Sequence, residues 1–262
     1  MQRFKFLVLP SLSVILLSAC TGGSGNKAAG SGSSDPAASV SGSGVDMYYE
    51  YTATTGGKGM SIKTDTKMYV SSSGAMRVEM DMQNSAMKGK DPGPMVIIGH
   101  SDKPSESISI KDDTKTYSVN HFTDKDFDTG EKVKSTATKI GEEQILGFNS
   151  VHARIISNKN IGGLYSEIDT IDLWRSNDVP LVASVKELME KFDSKTGISL
   201  YSPDIADQLK QMGCEGFMTK LEIHSRNASI TEVLVKVEHR DLPASMFQIP
   251  AGYKETKDGI GE

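Results

Sequence analysis

Between Ala75 and Met82 the chain alternates without a break: Met76, Val78, Met80 and Met82 fall on one side, and Arg77, Glu79 and Asp81 on the other. A period of two fits a strand with one wet face; a helix would repeat its apolar residues every three to four positions. Met47 to Thr54, Ser61 to Thr64, Lys67 to Val70, Met95 to His100, Glu106 to Lys111 and Lys115 to Asn120 read as further strands. Ser73-Gly74, Asp91-Pro92-Gly93-Pro94 and Asp112-Asp113 stand between them as turns. Connections this short join antiparallel neighbours. Lys132 to Ile140 is a polar strand, at an edge or wet on both faces, and Val151 to Ser157 and Ile168 to Arg175 continue the sheet.

After Asp178 the period lengthens. Leu181, Val185, Leu188 and Phe192 recur at helical spacing, with Pro180 in the first turn and Lys186, Glu187, Glu190 and Lys191 facing away. A second amphipathic helix begins with Ser202 as N-cap and Pro203 at the first helical position. Ile205, Leu209 and Met212 form its stripe and Gly213 ends it. Many alternating strands followed by two amphipathic helices predict an α+β fold, an antiparallel sheet with helices on one face.

The last two strands allow a register to be predicted. Phe217, Thr219, Leu221 and Ile223 share one face, as do Thr231, Val233, Val235 and Val237. A three-residue loop at Ser225-Arg226-Asn227, with Asn227 left-handed, sets Leu221 opposite Thr231, Thr219 opposite Val233 and Lys220 opposite Glu232. The same register puts Cys214 opposite Glu238, which argues against a thiol-imidazole pair with His239. Cys214 is then a small buried hydrophobe.

The amino end speaks of location. Arg3 and Lys5 precede apolar Phe6 to Leu17, a stretch shorter than the roughly 20 residues of a membrane span, and small Ser18 and Ala19 lead to Cys20. Leu17-Ser18-Ala19-Cys20 resembles the bacterial lipobox. That resemblance implies diacylglycerol on the Cys20 thiol, cleavage before it and acylation of the new amino group. Residues 1–19 are then a lipoprotein signal peptide, and the membrane is a partner through acylated Cys20 without being spanned. Thr21 stands where an aspartate would resemble an inner-membrane retention signal, which points to the outer membrane, facing periplasm or surface. Residues 20–45 are rich in Gly and Ser and form a flexible linker with a mean reach of roughly 27 Å. A single globular domain, 46–254, and a flexible tail, 255–262, complete the expected organisation.

Cleavage takes the formal charge from −5 to −7 by removing Arg3 and Lys5. An acidic chain without a dense run of Lys and Arg offers no nucleic-acid groove. With Cys20 acylated, Cys214 is the one remaining thiol, which excludes a disulfide framework and a four-cysteine zinc site.

The run Asp241-Leu242-Pro243-Ala244-Ser245-Met246-Phe247-Gln248-Ile249-Pro250-Ala251-Gly252-Tyr253 carries the pattern Phe-x-Ile-Pro-x-Gly-Tyr. With Ile145-Leu146-Gly147-Phe148 and Ile171-Asp172-Leu173-Trp174, it resembles a family of bacterial envelope proteins with a domain of unknown function. That domain looks like the LolA and LppX type of lipoprotein fold. The resemblance implies a curved antiparallel sheet, an unclosed barrel with helices against its concave side, and brings no catalytic residue. Pro250 bars the last strand from continuing, so Phe247, Ile249 and Tyr253 are expected to seal one end of the core.

His100, His121, His152, His224 and His239 lack the spacing of a metal site. Asp124, Asp126 and Asp128 before Thr129-Gly130 lack the closing glutamate and flanking helices of a calcium loop. There is no nucleophile elbow and no Gly-rich phosphate loop, so no cofactor, metal or enzymatic activity is expected. The methionines are more suggestive. Thioethers can hold Cu(I), yet this strand face reads as core, and adaptable side chains also suit a cavity for acyl chains. Met76, Met80, Met82, Trp174, Leu181 and Val185 are the expected ligand-lining residues. The leading expectation is a lipid-anchored envelope protein that binds or carries a hydrophobic ligand, an acyl chain or a lipoprotein, under a helix lid. The alternative is a structural or protein-interaction module with a solid core on the same tether.

Overall fold

In the computed structural model the described residues are 44–57, 60–84, 94–121, 133–161, 165–182, 203–226 and 228–256. Twelve strands form one sheet: β1 (Met47–Gly57), β2 (Met60–Val70), β3 (Ala75–Asn84), β4 (Met95–His100), β5 (Glu106–Lys111), β6 (Thr116–His121), β7 (Val133–Ile145), β8 (Phe148–Ile161), β9 (Tyr165–Ser176), β10 (Phe217–His224), β11 (Ser229–His239) and β12 (Lys254–Glu255). Their order is β12-β6-β5-β4-β3-β2-β1-β11-β10-β9-β8-β7. Two meanders, β1 to β6 and β7 to β11, are therefore joined through the antiparallel β1–β11 pair. Among the described strands only β12 runs parallel to its neighbour, β6.

Chain length forces this sheet to curve. Ten strand spacings separate β6 from β7 in the order, roughly 48 Å across a flat sheet. The twelve steps from His121 to Val133 span at most about 43 Å. The two regions must therefore wind toward each other, and the result is a curved, unclosed sheet.

Alternation fills both faces. On the inner face Met47, Tyr49, Tyr51, Met68, Met76, Val78, Met80, Ile155, Leu173 and Leu221 are buried in one cluster with Val179, Val182, Ile205 and Leu209. The last two belong to α1 (Pro203–Gln211), which packs on β7 and accepts the Ala137 N–H at Gln208 Oε1, 2.9 Å away. Burying each of these two side chains contributes about 1.5–3 kcal/mol. The helix ends as Gly213 turns left-handed (φ 71°), donating to Lys210 O while Cys214 N donates to Leu209 O.

The outer face of β1 to β6 has its own cluster: Tyr48, Tyr69, Val96, Ile98, Ile110 and Phe247, with Leu242, Met246 and Tyr253 packed beside them. Here the C-terminal segment crosses the sheet as a 3-10 helix (Ala244–Phe247). Asp46 accepts the Ser72 and Leu242 N–H groups at 2.7 and 3.1 Å, Arg77 donates to Met246 O, and Tyr253 donates to Asp112. Phe247 and Tyr253 thus cover a second core on the opposite face, where the sequence predicts a seal at one end of the first; Ile249 is half-buried.

Four other expectations change. The segments predicted at 61–64 and 67–70 form one strand, because Thr64, Thr66 and Met68 stay inward while Lys63, Asp65 and Lys67 alternate away. Among the described residues there is one α-helix rather than two; 183–202, most of the first predicted helix, lie outside them, and Val179 to Val182 carry no helix. Finally, Leu221 pairs with Glu232 and Lys220 with Val233, one residue away from the predicted register. The loop takes four residues, and a bulge at Val235 lets Leu234 face Tyr51 and Val237 face Tyr49. Lys254–Glu255 also pairs with β6, so the sheet includes the first residue of the expected tail.

Two backbone positions give direct tests. Leu146 (φ 53°) and Gly147 (φ 83°) form the two-residue β7–β8 turn, and Leu146 is exposed. Leu146→Asn should stabilise the fold by about 0.5–1 kcal/mol, since asparagine accepts left-handed backbone more readily. Gly216 (φ 89°) lies so close to Ser176 O that a Cβ would overlap it. Gly216→Ala should destabilise by at least about 2 kcal/mol. Urea titrations of both variants check the two signs.

Candidate functional site

The registers define a row straight across the inner face: Ala153, Leu173, Leu221, Glu232, Ala53, Thr64 and Met82. Glu232 lies at its middle, fully buried, and neither carboxyl oxygen has a hydrogen-bond partner. A partnerless buried carboxylate is costly, so burial alone pushes its pKa up to about 8. At neutral pH the group is mainly a neutral acid. One step along the sheet, Thr66 is also fully buried, opposite Tyr51 and Met80, and its hydroxyl has no partner. Tyr51 has one: its hydroxyl donates to Met218 O at 2.8 Å. Burial, followed by the Glu232 charge, raises the Tyr51 pKa well above its ordinary value.

The outer face of β8 to β10 is charged instead. Asp172 is buried and accepts both Nε and Nη2 of Arg154 at 2.9 Å and Nε2 of His152 at 2.8 Å. Burial opposes ionisation of Asp172, but the Arg154 and His152 hydrogen bonds outweigh it and hold the pKa below the usual carboxylate value. Trp174 stacks on His152 with centroids 3.9 Å apart and carries Lys220 Nζ 4.2 Å above its ring. Ligand atoms of Asp172, Glu222 and His224 lie within 4.8 Å of one another. Arg154 already occupies Asp172 and Lys220 pairs with Glu222 at 2.9 Å, so cations of this chain neutralise the cluster.

Of the expected lining residues, Met76 and Met80 are buried together on the inner face, Met82 is half-buried at the end of the Glu232 row, and Leu181 packs partly buried against the same cluster. Trp174 is not with them. Its strand sends Ile171 and Leu173 inward, so Asp172 and Trp174 must point outward. Val185 and Cys20 lie outside the described residues. Cys214 is buried, its thiol against Val151 O at 3.5 Å and its pKa raised to about 11 by burial, while His239 is exposed opposite Met47. Sequence reasoning missed Glu232 and Thr66. A carboxylate that alternates with Val233, Val235 and Val237 looks wet until the register and the bulge at Val235 are known.

The described residues thus form a curved, open sheet with a second core clasped by the C-terminal segment. The family described as Domain of unknown function (DUF4412) matches residues 57–253, and the chain belongs to that family. No curated protein matches it. Among solved structures the chain is similar to LprF from Mycobacterium bovis, at 10% identity over 74% of this chain and 85% of that one, with a TM-score of 0.31. It is also similar to a LolA superfamily protein from Nitrosomonas europaea, at 6% identity, 78% and 90% coverage and a TM-score of 0.35. Lipoprotein LppX from Mycobacterium tuberculosis matches at 12% identity, 72% and 85% coverage and a TM-score of 0.33.

The Glu232 acid makes stability depend on pH. Its folded pKa, about 8, lies above the ordinary 4.5, so the folded state holds a proton that the unfolded chain loses. Its contribution is fully present below pH 4.5 and is lost as pH rises toward 8, by up to roughly 1.4 kcal/mol per unit. Urea unfolding from pH 5 to 8 should show this slope in the wild type and lose it in Glu232→Gln; superimposable curves would rule the assignment out.

Proposed function

We propose that this is a non-enzymatic, lipid-anchored envelope protein that holds a hydrophobic ligand against the inner face of its open sheet. The observation that carries the reading is the division of that face. Methionines 68, 76, 80 and 95 gather on β2 to β4, while α1 packs seven places away from β3, on β7. A nine-residue helix is about 13 Å long, the width of roughly three strands, so α1 lies directly on only part of the curved face although both regions join one buried cluster. Thioether side chains adapt their shape to what covers them, which suits acyl chains of varied length. The buried, partnerless polar groups of Glu232 and Thr66 fit a surface shaped for an additional occupant better than one packed for stability alone.

The anchor supports the same reading. Acylated Cys20 on a flexible linker would keep the sheet within tens of ångströms of a bilayer, where hydrophobic ligands reside. Among the described residues no helix is long and apolar enough to cross a membrane.

Native mass spectrometry of the protein extracted from membranes should show the mass of the lipidated amino end together with retained lipid. The full-length Cys20→Ser chain should bind a fluorescent acyl probe in competition with unlabelled lipid, and Met80→Asp should weaken that binding at least about tenfold. Absence of retained lipid together with absence of probe binding would favour the solid-core interaction module instead.

A further inference from the structure

We propose that Glu232 is the polar anchor of the inner face and selects hydrophobic ligands that carry a primary amine over those ending in a carboxylate or a hydroxyl. This rests on the hydrophobic-ligand reading above and specifies its chemistry.

The surroundings leave the carboxyl with an unmet demand. Its row neighbours on β10, β1 and β2 are Leu221, Ala53 and Thr64, none of them charged. The Tyr51 proton is engaged by Met218 O. Asp207 and Lys210 of α1, and Asp178 after β9, are exposed. Both oxygens therefore await donors from outside the described protein groups. A primary ammonium brings three N–H donors and the opposite charge, so one ligand group can meet both oxygens. Ester and ether oxygens can only accept the proton of the neutral acid, a hydroxyl donates once, and a fatty carboxylate donates nothing and repels the group once it ionises. On the β1 side the short side chains of Ala53 and then Thr64 follow the carboxyl along the row, and Met80 and Met82 lie beyond them for the chain of the amphiphile.

Without a cation beside it the carboxyl keeps its proton at neutral pH and avoids a buried charge. When the ammonium arrives, that proton leaves to solvent and a carboxylate–ammonium pair forms in an apolar setting. Binding below pH 8 is therefore coupled to release of one proton.

The test is calorimetric titration of the full-length Cys20→Ser chain with dodecylamine, dodecanoate and dodecanol, each below its micellar concentration. Dodecylamine should bind tightest. Comparison of two buffers at pH 6.5 should report close to one proton released, and amine affinity should rise about tenfold per unit from pH 6 to 8 and then level off. Glu232→Gln should weaken amine binding roughly thirtyfold or more, abolish the pH slope and leave dodecanol binding unchanged. Amine affinity equal in the two proteins, or binding without proton release, overturns the amine assignment alone. Failure of all three amphiphiles to bind overturns the ligand reading itself.

Discussion

A connection too short for a flat sheet governs this architecture. Because the steps from His121 to Val133 cannot span ten strand spacings laid out flat, the sheet must bend, and bending gives it an inside and an outside. The two faces then meet different requirements. The inner face gathers the large cluster under α1 and Val179 to Val182. The outer face is apolar along β1 to β6, where the C-terminal segment lies on it, and charged along β8 to β10, where Arg154 pairs with Asp172 and Lys220 with Glu222. Neither edge is left as a bare template. β7 carries a bulge at Ile140, lysines and glutamates, with α1 bonded to its backbone, and β12 covers β6 with two residues.

The tail motif acquires physical meaning from this arrangement. Phe247 plugs the outer cluster, Gly252 turns at φ 86° and Tyr253 reaches Asp112, so the Phe-x-Ile-Pro-x-Gly-Tyr pattern describes a clasp. Asp46 ties that clasp to the start of β1 and to the β2–β3 turn through two backbone N–H groups. Burial works against its charge, but the Ser72 and Leu242 hydrogen bonds prevail and keep its pKa below the ordinary value. Residues at the two ends of the domain are thus held in one hydrogen-bonded knot, beside the β1–β11 pair that joins the two meanders.

Most of the sheet was legible because alternation is a local property. Met76 to Met82 states its face within eight residues, and the outward Arg77 and Glu79 find each other at 2.7 Å. Register is not local. In β11 three valines at 233, 235 and 237 outweigh Ile230 and Leu234 on hydrophobicity, and only pairing with Tyr49 and Tyr51 across β1, with a bulge at Val235, decides which set turns inward. The outer placement of Trp174 has the same origin: residue type suggested burial, which is correct, but parity with Leu173 decides the face. The second core was illegible for a further reason. Its apolar residues on β4 and β5 look like one buried strand set until a distant C-terminal segment is seen to cover them.

The misread register is also what hid the candidate site. Had Glu232 faced Lys220 on the outer surface, it would have joined a charged network there and asked nothing of a ligand. Facing Leu221 instead, it stands in the one row where the sheet carries a carboxyl between Leu221 and Ala53, with no compensating cation from β1, β2 or β10. Stability alone favours an apolar residue at such a place, because a protonated acid without partners forgoes hydrogen bonds that water would have supplied. A sequence that supplies outward valines in the same strand could have placed one inward by a shift of one residue. The bulge at Val235 preserves the Leu234 and Val237 contacts and keeps Glu232 inside, so a polar group is built into the inner face by the same local distortion that completes its hydrophobic packing.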